Sequence, residues 1–262
     1  MTERKPYPGD LTDDQWRHLH ILLPRKRGKG NHRSPQQKRE LLNAILYVKS
    51  TGCQWNALPH DFPPHQTVYG YFRELSDAGI WQQINDILRR GVRRREGRDP
   101  DPSVVIVDSQ SVKTTEKRGP VGGFDGGKRV KGRKRHIAVD VMGMILGVLV
   151  LPANFSDDFG AKHLLRRIPF VPRWALFLFD GGYDKPPLIH WCEQVFGVQV
   201  EISRRLGNGF QVIPKRWIVE RTFGWLNFAR RLSKDYEVRP DVSESMIYVA
   251  MIHLMLKRLH PT

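Results

Sequence analysis

Two carboxylates in this sequence follow the same kind of neighbour. Val104-Val105-Ile106-Val107 runs into Asp108, and Leu176-Phe177-Leu178-Phe179 runs into Asp180. A short run that is apolar on both faces reads as a buried central strand. In α/β proteins, sites are built where such strands end. If the two strands are neighbours, both acids converge on one point. Two negative charges at that range repel unless a cation lies between them, and divalent Mg²⁺ prefers oxygen ligands of this type. The plainer alternative is that each aspartate only caps a turn. The third candidate is Glu220, in KRWIVERTFGWLNFARRLSK. At helical spacing it shares a polar stripe with Arg216, Asn227 and Arg231, while Ile218, Trp225, Ala229 and Leu232 fall on the side that can pack against a sheet. Its plainer alternative is an exposed ion pair with Arg216, one turn away. Asp140, alternating with apolar neighbours, is the main rival carboxylate. Asp184 reads as the cap of a helix, and His136 as a structural or phosphate-contacting histidine.

The elements that must position these groups follow from periodicity. The N-terminal third reads as helical. Thr12 with Gln15 forms a capping-box pattern, Ser34-Pro35 opens a second helix, a third carries Val68, Tyr71, Phe72 and Leu75, and a fourth follows Gly79. The middle pair suggests either a helix-turn-helix whose second helix, from His65 to Leu75, presents Gln66, Tyr69 and Arg73 to DNA, or a helical bundle that only braces the rest of the chain. Residues 93–102 read as a basic linker. Beyond it come a strand at 103–107, a basic glycine-rich loop at 113–135, a hairpin of 136–141 and 145–151, and a helix to about Arg167. Strands at 174–179 and 198–202 then flank a helix, and helices at about 215–234 and 243–259 close the chain. The class is α/β with a mixed sheet, divided as 1–92, 93–102 and 103–262.

Charge narrows the partner. The chain has 262 residues, with 43 Lys and Arg against 27 Asp and Glu, a formal charge of +16. With 40% hydrophobic residues it is too apolar for a disordered basic tail, so the charge is displayed on a folded body, and a polyanion is the natural partner. Most of the basic residues fall in segments 25–39, 89–98, 113–135 and 215–234. The longest apolar run, 141–151, is too short to span a bilayer, the first residues lack the apolar core of a signal peptide, and two cysteines exclude a disulfide framework. A soluble, intracellular, nucleic-acid-handling protein is expected. Gly122 to Lys128 fits the letters of a phosphate-binding P-loop, but Arg129 replaces the Ser/Thr and no strand precedes it, so no nucleotide cofactor is expected. A glycine-hinged loop laying Lys128, Arg129, Lys131, Arg133, Lys134 and Arg135 on DNA phosphates fits better.

Several motifs, in order, resemble one family. Asp108 in IVDSQSVKT, Asp180 in LFDGGYD, Glu220 in RWIVERTFGWLNFARRLSKDYE, the loop GGFDGGKRVKGRKRHIAVD, and the N-terminal LTDDQW, GCQWNALP and TVYGYF look like the DDE transposases of bacterial insertion sequences, specifically the insertion-sequence-five family. The resemblance covers nearly the whole chain. It implies a ribonuclease-H-like domain with a mixed five-stranded sheet flanked by helices, preceded by an all-α, helix-turn-helix-like domain. It implies that Asp108, Asp180 and Glu220 are catalytic and hold two Mg²⁺ ions, with Mn²⁺ able to substitute. The implied activity is binding of terminal inverted repeats, metal-dependent cleavage and strand transfer into double-stranded target DNA. The implied protein works in the bacterial cytoplasm as a dimer or higher assembly on DNA. Arg216 matches the arginine of a Tyr-Arg-Glu-Lys constellation found in relatives. Ile213 and Asn227 stand where the tyrosine and lysine would be, which leaves Arg230, Arg231 or Lys234 as the replacement cation. The short interval from Asp180 to Glu220 argues against the large β insertion of some relatives and against hairpin-based second-strand cleavage. Two other readings are a nuclease of this fold without transfer activity and a non-catalytic repressor derived from such an element.

Overall fold

A computed structural model describes residues 4–24, 33–115, 119–203 and 217–261. Eight α-helices and six strands are defined among the described residues. The N-terminal helices begin and end where local chemistry dictates. Helix α1, Asp13–His20, opens on a Thr12–Gln15 capping box, and α2, Pro35–Thr51, on a Ser34–Gln37 box with proline in its first turn. Helix α2 stops at Gly52, whose φ of 73° only glycine adopts at no steric cost. Helices α3, His65–Asp77, and α4, Ile80–Arg95, follow. Helix α4 runs three residues into the stretch read as linker. Arg93, in its last turn, is buried and donates to Asp140 at 2.6 Å and to the Asp99 carbonyl at 2.7 Å.

The sheet is mixed. Strand β1 spans Val104–Lys113, β2 Gly123–Asp125, β3 Val130–Val139 and β4 Ile145–Pro152, and β5 Leu176–Asp180 and β6 Gln199–Ser203 complete it. The β4–β3–β1 part is antiparallel, while β1, β5 and β6 run parallel. That order and those directions are those of a ribonuclease-H-like sheet, and the five expected strands are all present. The sixth, β2, shares the outer edge of β3 with β4.

Alternation along the strands makes two cores. Val105, Val107, Phe177 and Phe179 point to the face covered by α5, Asp157–Arg167, and α6, Pro186–Phe196. Ile106, Ile137, Val139 and Leu178 point to the other face. There the core is continuous with residues of α7, Trp217–Asn227, of α8, Pro240–Leu259, and of the N-terminal helices. Polar ties fix this second face. Asn85 of α4 donates to the Ile145 carbonyl at 2.8 Å, and the Tyr248 hydroxyl of α8 accepts from Val148 N–H at 3.2 Å.

Two expectations change. The segment read as a loop from 113 to 135 contains strand: β1 reaches Lys113, and β2 and β3 form a hairpin with its turn at 126–129. The motif GGFDGGK therefore leads into a strand, where a P-loop would open a helix. The helix expected to continue to Lys234 ends at Asn227. Ala229 is extended, and Arg231 turns inward to Glu237 at 2.7 Å and to the Cys53 carbonyl at 3.1 Å.

Candidate active site at the end of the parallel strands

Strand β1 pairs in parallel with β5 through Val104–Leu176, Val105–Phe177 and Ile106–Leu178. Two further steps along each strand place Asp108 level with Asp180, the last residue of β5. Beyond Ile106, β1 continues against β3 only, with Asp108 opposite Ile137. Asp108 is thus the point where one neighbour of the strand stops, and its half-buried side chain lies at that notch. Asp108 and Asp180 line one small cavity together with Ile106, Leu178, Ser203 and Val219. The turn-capping role also exists, since Asp180 Oδ1 accepts from Gly182 N–H at 2.9 Å. The two roles do not compete, because a carboxylate has several acceptor positions.

Glu220 lies in the first turn of α7, exposed, and follows Val219, which lines the same cavity. Ile218, Val219, Thr222, Phe223 and Leu226 are the buried face of that helix. Trp225, expected on that face, is instead half-buried, with the Arg221 and Arg258 guanidinium carbons each 4.6 Å from its ring. Arg216 and Ile213 lie outside the described residues.

The donor chemistry of Asp108, Asp180 and Glu220 suits a hard divalent cation. No group of three or more His, Cys, Asp or Glu stands within metal-holding range among the described residues. Two of the three acids share a cavity, and the third follows in the chain a residue that lines it. Asp140, the rival, has another task. It is 0% exposed, is paired with Arg93, and accepts from Met142 and Met144 N–H at 2.9 Å each, which closes the β3–β4 turn.

A polar cluster missing from the sequence reading backs the notch. Ser109 Oγ donates to Asp157 at 2.7 Å, and Lys134 Nζ lies 3.1 Å from Asp157 and 3.6 Å from Asp125. Burial pushes the Asp157 carboxyl up, but the hydrogen bonds from Ser109 and Lys134 outweigh it and hold the group below its usual range. Tyr183, fully buried after the Gly181-Gly182 turn, sits in the field of Asp108, Asp157 and Asp180. Burial first, and those negative charges second, raise its hydroxyl well above the ordinary value, so it stays protonated. A tyrosine three residues past a strand-end aspartate was the available signal.

The residues read as DNA contacts divide. Gln66 and Tyr69 are exposed on α3, while Arg73 is half-buried and bonded to Asp77 at 2.6 Å. Lys128, Arg129, Lys131, Arg230 and Lys234 are exposed. Arg133, Lys134, Arg135 and Arg231 are not available to a phosphate. Arg133 is 0% exposed and donates to Asp235 and to the carbonyls of Val121, Glu237 and Val238. Arg135 donates to the Leu232 and Lys234 carbonyls, Lys134 serves the two aspartates, and Arg231 serves Glu237. Arg133, Lys134 and Arg231 meet carboxylates there, as buried charges require, while Arg135 is held by backbone carbonyls alone among its hydrogen-bond partners.

The family described as Transposase DDE domain matches residues 99–255, more than half of the chain. The chain belongs to the DDE transposase family. Members of this family cleave DNA and transfer its strands, and their chemistry depends on divalent metal ions. A second match, described as "Putative transposase of IS4/5 family", covers residues 11–85. An uncharacterised 16.2 kDa protein of insertion element IS402 from Burkholderia cepacia is 30% identical over 108 residues, which is 39% of this chain and 72% of that protein. The "Putative transposase for insertion sequence element IS402" of the same organism is 30% identical over 119 residues; the match takes in 42% of this chain and 56% of that protein. A solved pre-cleavage Mos1 transpososome aligns with 90% of this chain and 80% of its own at 12% identity and a TM-score of 0.31. A Mos1 mariner paired end complex with Mn aligns with 94% and 84% at 14% identity and a TM-score of 0.30. Scores that low carry no argument about this chain. Among the described residues, no helix of the DDE chain is long and apolar enough to cross a membrane.

Proposed function

We propose that Asp108, Asp180 and Glu220 are the catalytic carboxylates of a transposase that cuts at the inverted repeats of its element and joins the freed end to target DNA. The observation that carries this reading is the β1–β5 register, which brings Asp108 level with Asp180 beside the helix bearing Glu220. In this reading the three acids hold two Mg²⁺ ions, and Mn²⁺ can replace them. Ions held there would supply activation of an attacking water or 3′-hydroxyl and stabilisation of the leaving oxygen. The chain's own groups set the stage. Tyr183 keeps its proton beside the acids, and the Ser109–Asp157–Lys134 cluster holds β1 firm behind Asp108. The segment 1–92 reads the DNA through Gln66, Tyr69 and Arg73 and 103–262 carries the chemistry, with 93–102 between them. Lys128, Arg129, Lys131, Arg216, Arg230 and Lys234 follow the phosphates, and two copies bind a pair of ends in the cytoplasm.

The test uses Asp108→Ala, Asp180→Ala and Glu220→Ala on supercoiled DNA carrying the element's ends, with Mg²⁺ and with Mn²⁺. Nicking is expected to fall to background in each, with unchanged folding. Equal nicking by any variant and wild type removes that residue from the mechanism. Joined donor–target strands decide between a transposase and a nuclease that only cuts.

A further inference from the structure

The strand register sets Asp108 and Asp180 relative to each other, but Glu220 comes from a helix outside that ladder. The apolar face of α7 packs into the core, and apolar contact is non-directional, so it attracts the helix without fixing its slide. Directional contacts must do that, and they gather at one place, the β3–β4 turn.

Arg221 and Thr222, the two residues after Glu220, reach two consecutive carbonyls of that turn. Arg221 Nη2 donates to the Met142 carbonyl at 3.0 Å. Thr222 is fully buried. Its Oγ1 lies 3.0 Å from the Gly143 carbonyl and 3.0 Å from the Ile218 carbonyl of its own helix, so one proton serves both. The Arg221 guanidinium is itself held between two rings, its central carbon 4.3 Å from Trp217 and 4.6 Å from Trp225. Gly143 lets the helix come this close. A Cβ there would lie 2.7 Å from Thr222 Oγ1 and 2.8 Å from the Trp225 ring, well short of the 3.4 Å of ordinary contact. Its φ of 79° also favours glycine. The turn is firm because Asp140 ties it from inside, accepting from Met142 and Met144 N–H through Oδ1 and from Arg93 of α4 through Oδ2.

We infer that the β3–β4 turn is the seat that sets the position of Glu220, with Thr222 and Gly143 as positioning residues. Both act through α7. Thr222 holds the helix down on the turn, and the missing side chain of Gly143 makes room for it. The inference rests on the reading of Glu220 as a catalytic carboxylate.

The experiment compares the full chain with Thr222→Val, Thr222→Ser and Gly143→Ala. It measures the maximal nicking rate on end-bearing DNA and its half-saturating Mg²⁺ concentration. Anisotropy of a labelled duplex, with Ca²⁺ in place of Mg²⁺, gives the affinity for DNA, and thermal unfolding gives Tm. Thr222→Val keeps the shape and removes the donor. Its nicking rate is expected to fall about tenfold, and that of Gly143→Ala on the order of a hundredfold, the scale of a 1 Å misplacement. Duplex affinity should stay within about twofold, since a group that serves only the reacting geometry leaves ground-state binding alone. The half-saturating Mg²⁺ concentration should rise in both. Thr222→Ser returns the donor and should recover most of the rate. Wild-type rates in Thr222→Val and Gly143→Ala overturn the inference. So does a loss matched by an equal loss of duplex affinity, or one that Thr222→Ser shares in full. Should Gly143→Ala unfold, the two threonine variants decide. Glu220→Ala separates the two readings. If it nicks as wild type does, the catalytic reading of Glu220 fails. If it stops nicking while Thr222→Val and Gly143→Ala keep their rates, only the positioning inference fails.

Discussion

Lys128 to Lys131 and Arg133 to Arg135 are neighbouring pieces of one basic stretch with opposite fates. The first piece turns at the tip of the β2–β3 hairpin, and Lys128, Arg129 and Lys131 stand in solvent. The second begins two residues later in the middle of the sheet. Its three cations are buried among Asp235, Asp157, Asp125 and a ring of backbone carbonyls. Each piece carries three cations and no acid. What differs is whether acceptors from distant parts of the chain close over the strand. Charge that reaches solvent can serve a polyanion, and charge that is enclosed holds the C-terminal segment 232–238 against β3. Counting bases in a sequence therefore overstates the surface open to DNA.

The sharpest way to break this comparison is to remove one cation from each piece. Arg133→Met leaves Asp235, itself 0% exposed in its side chain, charged and unpaired in the interior. Breaking a buried pair from one side costs about 3–5 kcal/mol. For a chain of this size that is a fall in Tm on the order of 10 °C. Lys131→Met, two residues earlier on β3, is expected to change stability by less than about 0.5 kcal/mol. Thermal unfolding followed by circular dichroism reads both. Similar small losses would mean that the buried network is not what holds 232–238 in place.

That contrast also explains what the sequence could and could not disclose. The strand-end positions of Asp108 and Asp180 were legible because a buried parallel strand writes itself locally, as four apolar residues ending in an acid. The caps of α1 and α2 were legible for the same reason, within three residues of each helix start. The burial of Arg133 and Arg135 was not, because their acceptors lie about a hundred positions away, and a basic, glycine-rich stretch reads as a solvated loop. The early end of α7 was hidden likewise: Arg231 leaves the helical stripe for Glu237 and Cys53, and neither contact follows from helical periodicity. Asp140 looked like a site acid because its partner, Arg93, sits on α4 in what reads as a linker.

A smaller effect tests the same enclosure through protons. His136 follows Arg135 on β3, is 0% exposed, and neither ring nitrogen has a hydrogen-bond partner. Burial lowers its pKa to about 4, with Lys134 and Lys128 acting in the same direction and Asp157 opposing. The unfolded chain, with an ordinary histidine near 6.5, therefore binds more protons than the folded one at pH 4 to 6.5. Stability is full above pH 6.5 and is lost as pH falls toward 4. Between pH 7 and pH 5 this histidine alone accounts for about 2 kcal/mol of loss. His136→Leu should flatten the denaturant-derived stability profile by about that amount across the window. A profile parallel to wild type would show that the ring takes up its proton without leaving the interior.

The least effect on stability, and the clearest on function, belongs to the hairpin tip. Replacing Lys128, Arg129 and Lys131 together by alanine removes three exposed cations and little packing, so the Tm should move by only a degree or two. Each phosphate contact contributes about 0.9 to the slope of log affinity against log salt on duplex DNA. Three lost contacts should therefore lower that slope by roughly 2–3. The loss should not depend on the DNA sequence, because phosphates carry no sequence information. Binding to one duplex titrated over a range of salt concentrations is enough to decide. An unchanged slope would return the tip to plain solvation, and the positive charge of this domain would then have to meet DNA through Arg230, Lys234 and the face of α3.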